Sequence, residues 1–291
     1  MFRGSIVAIV TPFRDGRVDE QAFRKLIEFH VREGTDAIVP CGTTGESATL
    51  SHEEHERVVE IAIETTAKRI PVIAGTGSNS TAEAVRLTRH ARKAGADGAL
   101  LITPYYNKPT QEGLYQHFQS VAAAADIPII LYNVPSRTGV NLLPQTIARL
   151  TGVSNIVAVK EASGSLTQVS EIVALCGEKI TVLSGDDPLT LPMLALGARG
   201  VISVTANVVP AQVAALIKAF DKGDLAQARE IHYHLRPLND AMFYETNPIP
   251  VKTTLGLMGM IQPEVRLPLC PMGEANLAKL KVVLQEYGLL K

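Results

Sequence analysis

Asn155 to Gly164 reads NIVAVKEASG. Ile156 to Val159 is an apolar run, β-branched except at Ala158 and suited to a buried strand, and it stops on Lys160 and a turn of small residues. Lysine is a poor strand former and is almost never fully buried without a partner. Taken alone, the stretch is a strand end whose lysine stem lies along apolar surface while the ammonium reaches water. The fold is decided by recurrence. SIVAIV (5–10), DAIVP (36–40), PVIAG (71–75), GALLIT (98–103), PIILY (128–132), ITVLS (180–184) and GVISV (200–204) repeat the pattern, making eight short apolar runs with NIVAVK (155–160). Hydrophobicity that is continuous along a strand means that both faces are buried, as in a parallel sheet.

Helical stretches fill the gaps. Asp19 to Arg32 carries apolar residues at helical spacing. Ser51 to Lys68 opens on a capping box (Ser51, Glu54), and Ser80 to Lys93 on another (Ser80, Glu83). Gln111–Ala124, Pro144–Leu150, Leu166–Cys176 and Pro188–Leu196 follow. Eight strands alternating with helices predict an α/β fold, a closed (β/α)8 TIM barrel. A doubly wound open sheet is the alternative, but no GxGxxG follows the first strand. After Val204 the strands cease, and Pro210–Lys222, Asp224–Tyr244, Val251–Gly256 and Glu274–Tyr287 read as helices. The predicted organisation is a catalytic barrel over 1–224 and a helical C-terminal domain over 225–291. No linker separates them, so the second is expected to pack on the first.

Composition narrows the function. The chain has 291 residues, 46% hydrophobic and 20% charged, which supports a large packed core rather than disorder. A formal net charge of −1 leaves no electrostatic footprint for nucleic acid or an anionic membrane. Cys41, Cys176 and Cys270 are scattered, form no CxxC pair and suit a reducing compartment. The apolar run Ile6–Val10 is too short for a secretory h-region, and no run has the length of a membrane span. A cytoplasmic protein is expected.

In a barrel of this kind the chemistry sits at the carboxyl ends of the strands. Those ends read GTTGES (42–47), TPYYN (103–107), YNVPSRTG (132–139), Lys160, SGDD (184–187) and SVTAN (203–207). Each has a bland reading: an ordinary turn, a packing pair, a helix cap. Their collection at one rim is the signal. A lysine in a water-poor mouth loses its charge more readily, and a neutral amine attacks carbonyl carbon to give an imine. Tyr132 and Tyr106 can relay protons, with Thr43 in a hydroxyl chain. The Gly-Thr-Thr-Gly turn offers amides and hydroxyls to a carboxylate, and lacks the P-loop pattern for phosphate. Arg137 can grip a second carboxylate. The set suits a small keto acid and an acidic partner. His52 and His55 hint at zinc, but their i, i+3 spacing is not HExxH and no third ligand is nominated; a solvated first turn is their alternative. Cys41 has no histidine placed near it by a motif. Asp186 and Asp187 read as a helix cap before Pro188. A non-catalytic keto-acid sensor is the reading of a different class.

GTTGESATL, TPYYNKPTQEGLYQHF, LYNVPSRTG, IVAVKEASG, LSGDD, GVISVTAN and NPIPVK, in this order, closely resemble the 4-hydroxy-tetrahydrodipicolinate (dihydrodipicolinate) synthases of the pyruvate-dependent class I aldolase and N-acetylneuraminate lyase superfamily. The likeness runs from Met1 to about Lys252, and less distinctly beyond. It implies condensation of pyruvate with L-aspartate 4-semialdehyde, the committed step of lysine synthesis by the diaminopimelate route, with no cofactor or metal beyond a covalent imine on Lys160. It further implies that Tyr132 relays protons and that Thr43 links it to Tyr106, which reaches in from a neighbouring subunit. Thr44 belongs to the turn holding the pyruvate carboxylate, Arg137 receives the semialdehyde, and the backbones of Gly185 and Ile202 line the pocket. Sialic acid lyases share the GxTGE turn, the tyrosine and the lysine, but resemble this chain less in the loop that supplies Arg137; such a lyase is the runner-up. In lysine-inhibited members Ser47, Ala48, His52, His55, Asn79, Glu83 and Tyr105 match an allosteric lysine site. The resemblance also implies a homotetramer, a dimer of dimers.

Overall fold

A computed structural model of the chain describes residues 2–290. All eight apolar runs are strands of one parallel sheet: β1 Gly4–Ala8, β2 Ala37–Val39, β3 Ile73–Gly75, β4 Gly98–Ile102, β5 Ile129–Asn133, β6 Ile156–Glu161, β7 Thr181–Ser184 and β8 Gly200–Ser203. β1 pairs with both β8 (Gly4↔Gly200) and β2 (Ile6↔Ala37), and the ring closes between β2 and β3 at the isolated bridge Ile38↔Val72. β6 runs one residue beyond Lys160, to Glu161.

Side chains alternate along each strand, although both faces are apolar. Ile6, Ile73, Ile130, Ala158, Leu183 and Ile202 fill the barrel interior. Val7, Val159, Val182 and Val201 pack outward against the helices. Because Ala158 faces inward, the period of two turns Lys160 inward as well. That is the link from pattern to chemistry.

α1 (Glu20–Arg32) starts at Asp19, whose carboxylate accepts the Ala22 amide. α2 (His52–Thr66) carries both halves of the capping box foreseen at Ser51 and Glu54. α3 (Thr81–Ala94) does not: Ser80 accepts the Glu83 amide, but the Glu83 carboxylate turns to the Ser78 hydroxyl and to His52. α4 (Gln111–Ala124), α5 (Pro144–Leu150) and α6 (Leu166–Cys176) match their sequence bounds. The stretch 188–196 is a 3-10 turn, Asp187–Leu189, leading into α7 (Thr190–Ala195), and neither Asp186 nor Asp187 caps it. Asp187 crosses instead to the end of β8, accepting from the Ser203 hydroxyl and the Val204 and Thr205 amides. A small hairpin, Phe13–Arg14 with Arg17–Val18, has strands too short for any period to announce.

α8 (Pro210–Asp221) completes the helix ring, and α9 (Leu225–Ala241), α10 (Ile249–Leu257) and α11 (Glu274–Glu286) follow it. Leu280 and Leu284, one turn apart on α11, are fully buried and belong to the same apolar cluster as the helix shell. Burial of each contributes roughly 1.5–3 kcal/mol, which fixes the last helix in place. Among the described residues no helix is long and apolar enough to cross a membrane.

Candidate active site

Lys160 leaves β6 between Tyr132 on β5 and Leu183 on β7, its register partners. Its Nζ lies 4.2 Å from the centroid of the Tyr132 ring, and the residue is only 5% exposed. The ammonium therefore does not escape to water. Burial pushes its pKa from the ordinary 10.5 down to about 7; Asp187 opposes the fall and Arg137 adds to it. At that value much of the amine is neutral and nucleophilic at physiological pH. Gly185, just past β7, keeps the stem's path open. A Cβ there would stand 2.7 Å from Ala162 Cβ and 3.0 Å from Lys160 Cε, closer than atoms pack.

Tyr132 is buried beside it. Burial pushes its phenol up, while Arg137 and a contact with the Thr43 hydroxyl favour the phenolate. Thr43 and Thr44 lie in the turn that leaves β2. The turn is pinned where Cys41 takes a left-handed φ of 55° and its carbonyl oxygen stands 2.2 Å from where a Cβ on Gly75 would be, so that only glycine fits. Among the described residues the Thr43 and Thr44 amides have no hydrogen-bond partner, which leaves two donors for an anion. Arg137 stands on the single helical turn Pro135–Thr138 after β5, and Ile202 lies on the barrel's inner face. Thr43, Leu100, Tyr132, Arg137 and Asn247 help to line a cavity of about 320 Å³, the size for a small organic molecule. Tyr106 does not join them. It is 90% exposed, on a backbone of φ 70°, and is not among the residues that line the cavity.

Ser47, Ala48 and Tyr105 border the far side of the same cavity. Beside it Arg86 donates to His52 Nδ1 (2.5 Å) and His52 Nε2 donates to Glu83 (2.8 Å), so this ring carries its proton on Nε2. The Tyr105 phenol meets Asn79 and Ser78 near the Glu83 carboxylate. His55 departs from expectation. It is not a solvated first-turn residue but a buried one, with Nε2 donating to the Gly75 carbonyl at 2.7 Å. Burial holds its pKa below the usual range, so it locks the end of β3 as a neutral ring. Among the described residues no three His, Cys, Asp or Glu side chains are grouped to hold a metal ion. The Cys41 thiol is buried and pushed well up, the wrong direction for a nucleophile.

Residues 1–287 match the model of the dihydrodipicolinate synthetase family. The chain belongs to that family. It is an enzyme, a lyase of the class I aldolase type associated with lysine and diaminopimelate biosynthesis. A 4-hydroxy-tetrahydrodipicolinate synthase from Geotalea uraniireducens is 63% identical over 290 residues, all of both chains. The chloride-inhibited dihydrodipicolinate synthase of Acinetobacter baumannii, solved with pyruvate, is 47% identical with a TM-score of 0.98 over the whole of both chains. The Cyanidioschyzon merolae enzyme, solved with lysine bound, is 41% identical with a TM-score of 0.96 over 99% of each chain.

Two features of this family member escaped the sequence reading, although NPIPVK and IVAVKEASG drew attention to their segments. Asn247 donates to the Thr44 hydroxyl (3.0 Å) and its carbonyl accepts from Arg137 Nη2 (3.3 Å), tying the chain before α10 to both sides of the cavity. Behind Lys160, the buried Glu161 carboxylate accepts from Asn133 (3.0 Å), Gln168 (3.2 Å) and the Ser163 amide (2.7 Å). It faces outward because it is one residue past an inward one. This network supports the strand that carries the lysine.

Proposed function

We propose that this lyase is a 4-hydroxy-tetrahydrodipicolinate synthase, condensing pyruvate with L-aspartate 4-semialdehyde. The observation that carries the reading is a lysine amine with a pKa near 7, buried at the barrel mouth against a tyrosine. The pyruvate carboxylate docks on the Thr43 and Thr44 amides. The neutral Lys160 amine attacks the ketone carbon, Tyr132 passes the proton that lets the hydroxyl leave as water, and an imine remains. Loss of a methyl proton gives the enamine, whose carbon attacks the semialdehyde carbonyl while Arg137 holds that substrate's carboxylate. The semialdehyde's own amine then adds to the imine carbon and expels Lys160 as its free amine, closing the six-membered ring. The iminium is the electron sink, so the chemistry calls for no cofactor or metal. Gly185 leaves room for the Lys160 stem, and Ile202 packs in the barrel interior beneath it. Arg137 favours this reaction over the sialic acid lyase reading, and the pyruvate complex of the Acinetobacter relative supports the first substrate.

Tyr106, almost wholly in water on its own chain, suits a part played in a neighbour's hydroxyl relay, and hence a homotetramer built of dimers. Borohydride added with pyruvate should attach a reduced adduct to the peptide bearing Lys160, and Lys160→Ala should lose it. A wild-type protein that traps no pyruvate refutes the reading.

Ser47, Ala48 and Tyr105 on the cavity wall, with Asn79 and Glu83 at the Tyr105 phenol and His52 bonded to Glu83, support feedback inhibition by lysine, whose ammonium Glu83 would accept. His55, turned to Gly75, acts there only through the backbone. Activity should fall as lysine is titrated into the millimolar range; an unaltered rate removes the proposal.

A further inference from the structure

A second buried lysine has no place in that chemistry. Lys252, on α10, is wholly buried; its Nζ donates to Glu46 Oε1 (2.6 Å) and to the Thr11 carbonyl (2.9 Å), and lies 4.1 Å from the centroid of the Phe13 ring. The other Glu46 oxygen accepts the Arg266 amide at 3.1 Å. The Arg266 guanidinium covers the opposite flank, donating to the Thr49 carbonyl (2.9 Å) and Glu54 (2.6 Å). Glu46 thus spans 206 residues of sequence to meet Lys252, and does so from a left-handed backbone (φ 53°) that side chains rarely adopt. It stands three residues after Thr43, in the turn whose Thr43 and Thr44 amides have no hydrogen-bond partner among the described residues.

Buried ion pairs seldom outperform apolar residues of the same size in stability, because both charges must leave water. What they add is direction. A strained turn persists only where its surroundings over-determine it, and here the acid-binding turn is held from the C-terminal helices by a charged pair. We propose that Glu46 and Lys252 are positioning residues for the reaction, fixing the Gly42–Ser47 turn so that the Thr43 and Thr44 amides and the Thr43 hydroxyl meet the keto acid. The proposal rests on the pyruvate reading above.

The test compares Lys252→Met, the double variant Glu46→Gln with Lys252→Met, and Leu280→Ala, which weakens the fold far from the turn. For each full-length protein the unfolding midpoint is measured, together with the pyruvate concentration that half-saturates borohydride trapping. Lys252→Met should lower the midpoint and raise half-saturation at least about tenfold, since displacements near 1 Å can cost a hundredfold. The double variant, with no unpaired buried charge, should recover most of the midpoint yet keep the raised half-saturation. Leu280→Ala should lower the midpoint and leave half-saturation near wild type. The proposal is overturned if the double variant binds pyruvate like wild type, or if half-saturation follows the midpoint across all three proteins. Wild-type protein that traps no pyruvate would sink the functional reading instead, a distinguishable failure.

Discussion

Lys160 and Lys252 are the same residue buried to nearly the same degree, and the molecule uses them in opposite ways. Burial pushes both pKa values down. At Lys252 the Glu46 carboxylate, 2.6 Å away, pulls back, and the field of Glu264 adds to it. At Lys160 no acid lies within bonding distance among the described residues; only the more distant field of Asp187 resists, and the amine falls to about 7. Withholding a partner leaves an amine that can lose its proton, and supplying one leaves an anchored ion pair. The difference lies in what the neighbouring strand ends present, not in the lysines.

The widest test of the contrast is stability. Lys252→Met leaves Glu46 buried and unpaired and should cost about 3–5 kcal/mol. Lys160→Met should do the reverse. With a folded-state pKa near 7 against an ordinary 10.5, the folded chain holds fewer protons than the unfolded one between those values, so its burial penalty is greatest below pH 7 and fades as pH rises towards 10.5. Removing the amine should therefore stabilise the fold by up to a few kcal/mol at neutral pH, and by progressively less in alkali. Denaturant melts of both variants across that range read the two signs; a Lys160→Met protein no more stable than wild type at pH 7 would end the comparison.

A smaller effect probes the geometry. Gly185→Ala should shift the Lys160 stem while leaving Lys252 untouched. A tenfold to hundredfold slower approach to the trapped adduct, about 1–3 kcal/mol, is expected with the fold retained. Circular dichroism with timed trapping separates the two, and an unchanged rate would show that the amine tolerates the crowding.

Much of this was legible in the chain because its signals are local. Eight apolar runs fixed the strands, Ser51 and Glu54 marked a helix start, and the polar residues after each run gathered at one rim. The period of two was enough to send Lys160 inward from Ala158. Partners chosen across the fold were hidden. Glu83 looked like half of a cap until α2 offered His52, and His55 looked solvated until β3 offered a carbonyl. Asp187 prefers the next strand to its own helix, and Lys252 finds an acid in the first quarter of the chain. No spacing rule reaches such pairs.

The join between β2 and β3 has a further consequence. The ring there is carried by the bridge Ile38↔Val72 and by two amides, Ile38 to the Pro71 carbonyl and Gly75 to that of Pro40, as thin as the single pair Val201↔Ser184 between β7 and β8, where the remaining neighbours share ladders of three or more pairs. The Gly42–Ser47 turn springs from this join. Amide exchange should then be quickest at the clasp of the barrel, and a carboxylate seated on the turn would slow it, so that occupancy by substrate is registered as closure of the scaffold itself.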